Sequence, residues 1–269
     1  MHLTRRQIFT LVYLFIFLYL VGGIVVYRYQ EKFLFKPRKL PAGQPLSLPA
    51  AWREYDLRLN DTDRLSALLA TTAHPRGIVV YFHDNDENII EPSDYISYFL
   101  THDYEVLALD YPGFGKSTGP MSEMALYQDA AVAYKLAESF FKADSIILYG
   151  RGLGAAFATQ IASLYPCKAV VVENPFYSMD AELKRYLPIY PFSWMLRYHF
   201  PVYQFIARTT VPVMILQDAV DGRLTTKQAA QLRSLLKPGD RFVTGEESIR
   251  HEESFILPYR KVLDSLLGP

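Results

Sequence analysis

The stretch ILYGRGLGAAFATQ, from Ile147 to Gln160, has a spacing at which a protein can present a nucleophile. It reads as a short buried strand, a tight turn around Gly150, Gly152 and Gly154, and a helix opening on alanines. In a G-x-S-x-G turn a strained serine is lifted above a sheet, next to a backbone N–H that can meet an oxyanion. Here the middle position is Gly152, and no Ser, Thr or Cys stands in the turn. Strand, turn and helix are therefore expected without the atom that would attack. Glycine accepts strained dihedrals with little penalty, so Gly152 should relieve on the order of 1 to 3 kcal/mol at such a corner.

A turn of this kind needs a framework, and the chain has room for one. Its 269 residues, 50% of them hydrophobic, suit one medium domain with an appendage. Lysine plus arginine (28) equals aspartate plus glutamate (28), so no overall field draws in a polyanion, which argues against nucleic-acid binding. Cys167 is the single cysteine; it excludes an internal disulfide framework and reads as a structural thiol. No metal-ligand spacing occurs, and neither a metal nor a cofactor is expected.

From Ile8 to Tyr27 the chain carries no charge and is rich in Leu, Val, Ile and Phe, a length that matches a helix crossing a bilayer. The run is long for a signal sequence and lacks an A-x-A-like cleavage site. The expectation is an uncleaved single-pass anchor. Arg5 and Arg6 precede it, while Arg28, Lys32, Lys36, Arg38 and Lys39 follow. A count of cations would keep the body cytoplasmic, by a margin small enough to leave the side open. Residues 1–29 are read as the anchor, 30–50 as a proline-bearing connector, and 51–269 as the globular domain.

Within the domain, Tyr55, Leu57 and Leu59, then Leu65, Ala67 and Leu69, show the period-two spacing of half-buried strands around the turn Asn60-Asp61-Thr62-Asp63. Short apolar runs follow at Ile78–Phe82, Val106–Leu109, Ile146–Tyr149, Ala169–Val172 and Val213–Leu216, each suited to a strand buried on both faces. Helical patterns separate them, one on Leu126, Ala130, Ala133, Ala137 and Phe141 with Ser122 as its cap. The prediction is an α/β fold with a mostly parallel, doubly wound sheet and helices on both faces, preceded by one transmembrane helix. Ligands of such sheets bind beyond the carboxyl ends of the strands.

The strand-end segments FHDN (Phe82–Asn85), LDYPGFGKSTG (Leu109–Gly119), YGRGLGAA (Tyr149–Ala156) and ENPFYS (Glu173–Ser178), with a V-P-V strand leading to Asp221 and a late His251, resemble the α/β-hydrolases in order and spacing. In detail the chain is similar to the membrane-anchored BEM46-like serine hydrolases, which also begin with a hydrophobic helix and a Q-x-x-L-x-F-x-P connector, here loosely matched by Gln30–Pro37. The resemblance implies a serine nucleophile, a histidine to take its proton, a carboxylate to orient the histidine, and N–H donors for the oxyanion. It places Asp221 as the acid, His251 as the base, and His83, Asp84 and Leu153 around the oxyanion. Taken singly, Asp221 is equally a turn former and His251 a solvated residue at a helix start.

Several positions depart from that pattern. Gly152 occupies the nucleophile position, Asp84 replaces the glycine of an H-G-N segment, Arg250 the glycine before the histidine, and Gln217-Asp218 the H-G pair before the acid. A carboxylate at 84 would oppose the negative charge of an oxyanion. Three functions compete, in this order: a membrane-tethered pseudoenzyme that binds a small acyl or lipid-like ligand or a protein; an active esterase, amidase or peptidase whose serine is missing only in this sequence; and a catalyst activating water through His251 and Asp221. The aromatic segment Arg185–Phe205 reads first as core packing and second as a surface that lines a pocket or touches the bilayer, with His199 as a packed histidine. The residues leave the oligomeric state undetermined.

Overall fold

The computed structural model describes residues 4–41, 43, 45–46, 48–218, 223–245 and 259–268. Helix α1 runs from Arg5 to Leu34. Thr4 caps it, its hydroxyl accepting from the Gln7 N–H at 3.4 Å while the Gln7 side chain accepts from the Thr4 N–H at 2.8 Å. The helix passes the expected boundary at residue 29. It bends at Tyr29 (φ −114°, ψ 17°) and continues to Leu34, where Gln30 and Leu34 are buried. The start of the expected connector is thus helical and packed on the domain.

Eight strands form one sheet in the order β1-β2-β4-β3-β5-β6-β7-β8. They are β1 (Trp52–Arg58), β2 (Arg64–Ala70), β3 (Gly77–Phe82), β4 (Tyr104–Leu109), β5 (Ile146–Arg151), β6 (Ala169–Glu173), β7 (Val213–Gln217) and β8 (Arg241–Thr244). The hairpin β1–β2 is antiparallel, and β2 meets β4 antiparallel; the remaining pairs are parallel. The Asn60 side chain closes the hairpin turn by accepting from the N–H groups of Thr62 and Asp63 at 2.9 and 2.8 Å. Tyr55 and Leu57 of β1 are half-buried as expected, whereas Leu59 lies beyond the strand and is exposed, and β2 is buried from Leu65 to Ala70. Leu65, Ala67 and Leu69 join the apolar cluster on one face of the sheet and Leu68 and Ala70 the cluster on the other, a two-sided covering that period-two spacing does not encode. Strand β8 was not legible as an apolar run, since it is a four-residue edge strand with exposed ends.

Helices α2 (Ser93–Leu100), α3 (Glu123–Phe140), α4 (Gly154–Leu164), α5 (Met179–Tyr186), α6 (Phe192–Met195), α7 (Val202–Arg208), α8 (Thr226–Leu235) and α9 (Arg260–Leu267) complete the described elements. Leu126, Ala130, Ala133 and Ala137 of the predicted stripe on α3 are buried, while Phe141 is its half-buried C-cap; Ser122 caps that helix by accepting from the Ala125 N–H at 3.2 Å, a bond worth about 1 kcal/mol. Two apolar clusters lie on opposite faces of the sheet. Val80, Leu148 and Phe157 belong to one; Tyr81, Tyr149 and Tyr95 belong to the other. Alternating side chains of β3 and β5 supply both, the signature of a sheet covered on two sides. Cys167 is buried, and burial pushes its thiol up to about 12, which makes it inert near neutrality.

Candidate functional site

Strand β3 lies between β4 and β5 in the sheet, so the connections leaving β3 and β4 diverge to opposite sides. At such a switch point the carboxyl ends of neighbouring strands open a crevice. Here the crevice lies between β3 and β5, where Phe82 pairs with Gly150. His83, Asp84 and Asn85 leave one lip, and Gly152, Leu153 and Gly154 leave the other.

Gly152 makes the turn from β5 into α4 with φ +52°, in the left-handed region that L side chains rarely adopt. Its N–H donates to the Glu173 carbonyl at 2.9 Å, and its carbonyl accepts from the Ala155 N–H at 3.2 Å. The corner is therefore bonded on both sides. A Cβ at residue 152 would lie 2.1 Å from Oδ1 and 2.2 Å from both Cγ and Oδ2 of Asp84. The space into which a residue-152 side chain would project is filled by that carboxylate.

Asp84 is held there by four donors. Its Oδ1 accepts from the backbone N–H of Leu153 at 2.9 Å and of Asn85 at 2.7 Å. Arg223, in the segment between β7 and α8, donates to the same carboxylate through Nη1 to Oδ1 at 3.2 Å and Nη2 to Oδ2 at 2.5 Å. Burial alone would push the Asp84 carboxyl up, but the Arg223 guanidinium and the N–H of Leu153 outweigh it and hold the group below the usual carboxylate range. Asp84 is thus a buried, ionised carboxylate that receives charge-assisted bonds on both oxygens.

The surrounding side chains are tied into the same corner. His83 is fully buried; its Nδ1–H donates to the Asp84 carbonyl at 2.7 Å, and Nε2 lies 3.5 Å from Asp110 Oδ1. The Tyr111 hydroxyl donates to the His83 carbonyl at 2.8 Å. Arg151 pairs with Glu87 and lies 3.6 Å from Glu173. Glu87 Oε2 in turn accepts from the Asp84 N–H at 3.2 Å. The hydroxyls of Tyr95, at 2.7 Å, and Tyr149 donate to the Glu173 carboxyl, which burial pushes up despite the opposing pull of Arg151. Asn174, at φ +46°, exchanges two hydrogen bonds with Asp218, and the Tyr259 hydroxyl donates to Asp218 at 2.5 Å.

A cavity of about 530 Å³ opens beside Leu153 and Arg223. Val26 and Phe33 of α1 form one wall. Met179, Leu183 and Arg185 of α5 form another, with Phe176 and Phe192 between them. Gln30, Lys36, Asp86 and Glu182 also line it, and its size suits an organic ligand of moderate size. Among the described residues, no group of three or more His, Cys, Asp or Glu is placed to hold a metal.

Of the residues singled out from the sequence, the structure brings together His83, Asp84, Gly152 and Leu153. Asp221, His251 and Arg250 lie outside the described residues. His199 is half-buried, with its N–H donating to Glu123 at 2.6 Å. Sequence reasoning missed Arg223, which stands two positions beyond Asp221 but has nothing in its local pattern to pair it with residue 84. It also passed over Arg151 and Glu173, although both end strands within quoted segments. Those two are register partners on β5 and β6, so opposite charges at adjacent strand ends were the available signal.

Residues 73–251 match the family described as serine aminopeptidase, S33. The chain belongs to this family of α/β-hydrolases. An uncharacterized protein of Mycobacterium tuberculosis is 28% identical over 163 residues, 60% of this chain and 58% of that protein. The alpha/beta hydrolase domain-containing protein 17C of Xenopus tropicalis is 28% identical over 207 residues, 69% of this chain and 65% of that protein. The matched part thus spans less than two thirds of either relative. Among solved structures, the esterase Pf2001 of Pyrococcus furiosus is similar with a TM-score of 0.66 at 16% identity, covering 87% of this chain and 96% of that one. A monoglyceride lipase of Saccharomyces cerevisiae is similar with a TM-score of 0.61 at 13% identity, covering 84% and 96%. These likenesses show the α/β-hydrolase fold. In this chain an N-terminal apolar helix of 30 residues, long enough to cross a membrane, stands before it.

Proposed function

We propose that this protein is a membrane-anchored member of the α/β-hydrolases that binds a small acyl or lipid-like ligand without hydrolysing it. The observation that carries the reading is the position of Asp84. In a serine hydrolase of this fold the oxyanion meets the N–H after the nucleophile and an N–H from the loop after β3. Leu153 and Asn85 occupy those two positions, and both donate to Asp84 Oδ1. The chain's own carboxylate fills the role that a reacting oxygen would have. A substrate carbonyl would have to displace an anion already neutralised by Arg223.

A second reading, an ordinary serine hydrolase altered only at residue 152, is weakened by the same geometry. A serine Cβ there would overlap the Asp84 carboxylate, so restoring the nucleophile leaves no room for it. The cavity sets apolar side chains of α1 and α5 beside Lys36, Asp86, Glu182 and Arg223, a mixed wall that suits a ligand with an acyl part and a polar end.

Labelling with a fluorophosphonate probe, together with kcat/KM on one activated ester, tests this reading. The protein should neither label nor hydrolyse the ester above background. Gly152→Ser should stay feeble, whereas Gly152→Ser with Asp84→Gly should exceed it by at least about tenfold, a gain of roughly 1.4 kcal/mol. Labelling of the unaltered protein, or full activity from Gly152→Ser alone, would sink the proposal.

A further inference from the structure

Between Arg185 and Arg197 the chain runs YLPIYPFSWML without a charge. This segment, from the end of α5 through α6, packs on the upper part of α1, within the apolar run that ends at Tyr27. Tyr190 stacks on Tyr19 with ring centroids 4.9 Å apart and planes inclined by 16°. The Tyr19 hydroxyl donates to the Ile189 carbonyl at 3.1 Å, and the Tyr190 hydroxyl donates to the Tyr19 carbonyl at 3.1 Å. The close approach depends on Gly22, where a Cβ would come 2.3 Å from the Tyr190 hydroxyl oxygen.

The level of these contacts along α1 can be read from the helical rise. Tyr19 lies eight residues before Tyr27, or about 12 Å at about 1.5 Å per residue, against a hydrocarbon half-thickness of about 15 Å. The cation that follows the segment sits at a different level: Arg197 pairs with Glu31 at 3.1 Å, beyond Arg28, the first charge after the apolar run of α1. Arg197 therefore aligns with the charged part of α1, and Ile189 and Tyr190 with its apolar part. Trp194 is 75% exposed and Ile189 59%, and both continue the surface that α1 presents through Leu20 and Ile24.

We propose that this segment is embedded in the lipid hydrocarbon of the leaflet from which α1 enters the domain, with Trp194 among the acyl chains. The inference rests on reading α1 as a membrane span, and goes beyond it by placing part of the globular domain inside the bilayer. Lipid is the occupant because the exposed surface is continuous with that of the span, so whatever solvates one solvates the other. Part of the segment's backbone is paired internally, as hydrocarbon favours: Tyr190 N–H donates to Leu187, Phe192 to Tyr190, Trp194 to Pro191 and Leu196 to Phe192. Tyr186 and Leu187 belong both to this segment and to the wall of the site cavity, so an acyl chain can reach the cavity along the leaflet.

The full chain holds two tryptophans, the other being Trp52 on β1, which makes the depth measurable. The full-length Trp52→Phe protein is reconstituted into phosphatidylcholine vesicles with or without bromine on the acyl chains, and Trp194 emission is read after flotation. Brominated chains should remove most of the emission, and aqueous acrylamide should remove little. If Trp52→Phe does not fold, the difference between the unaltered protein and Trp194→Phe reports the same signal. A protein that floats with the vesicles but keeps Trp194 open to acrylamide and unquenched by bromine overturns this proposal and leaves the anchor standing. A protein that does not float overturns both.

Discussion

Asp84 and Gly152 exclude each other's side chains: the carboxylate of the first lies where the Cβ of any residue larger than glycine at the second would be, at 2.1 to 2.2 Å. The two residues sit on opposite lips of the β3/β5 crevice, 68 positions apart in the numbering. Each makes the other's identity a condition of packing. Glycine at 152 and a carboxylate at 84 are one structural state.

Stability should report that coupling directly. Gly152→Ala introduces a Cβ at φ +52° and into the carboxylate, and should cost more than the roughly 1 to 3 kcal/mol of left-handed strain alone. In Asp84→Gly the clash is absent, so adding Gly152→Ala should cost only the strain. Denaturation midpoints of the parent, both singles and the double give the coupling energy, and additive effects would mean that the loop after β3 moves freely away.

The Asp84–Arg223 pair sets an acid limb. Because the folded state holds Asp84 below the usual carboxylate range, its contribution is present above an unfolded pKa of about 3.9 and is lost as the pH falls from there. Asp84→Asn should cost about 3 kcal/mol near neutrality, as one partner of a buried pair is removed, and progressively less below about pH 4. Thermal melts of the two proteins should converge in acid. A constant offset would show that the bonded geometry, rather than the charge, carries the effect.

Asp129 on α3 should behave in the opposite sense. Burial, and then repulsion from the Asp63 carboxylate, pushes it up to about 6. Its folded pKa lies above the unfolded value, so the favourable protonated state is lost as the pH rises through 6. Asp129→Asn should therefore stabilise by about 1 kcal/mol near pH 7, allowing for solvent screening, and by little at pH 4. A destabilising effect at both values would point to a bond that asparagine cannot replace.

Local pattern in the sequence determined much of this protein. The charge-free run from Ile8 to Tyr27, the buried strands and the glycine turn follow from side-chain periodicity and backbone freedom, which neighbours in sequence dictate. The resemblance to the α/β-hydrolases was enough to place residue 84 near residue 152. Tertiary structure alone decided what lies between them. Arg223 reaches Asp84 from 139 positions away, and nothing in the residues around 223 marks it as the partner of a carboxylate on another strand. The aromatic segment is similar: its composition suits a core first and a surface second, and the structure divides it, burying Phe192 and leaving Trp194 outside. Periodicity records which faces are covered. It does not record by what, because burial is a relation between segments distant in the chain.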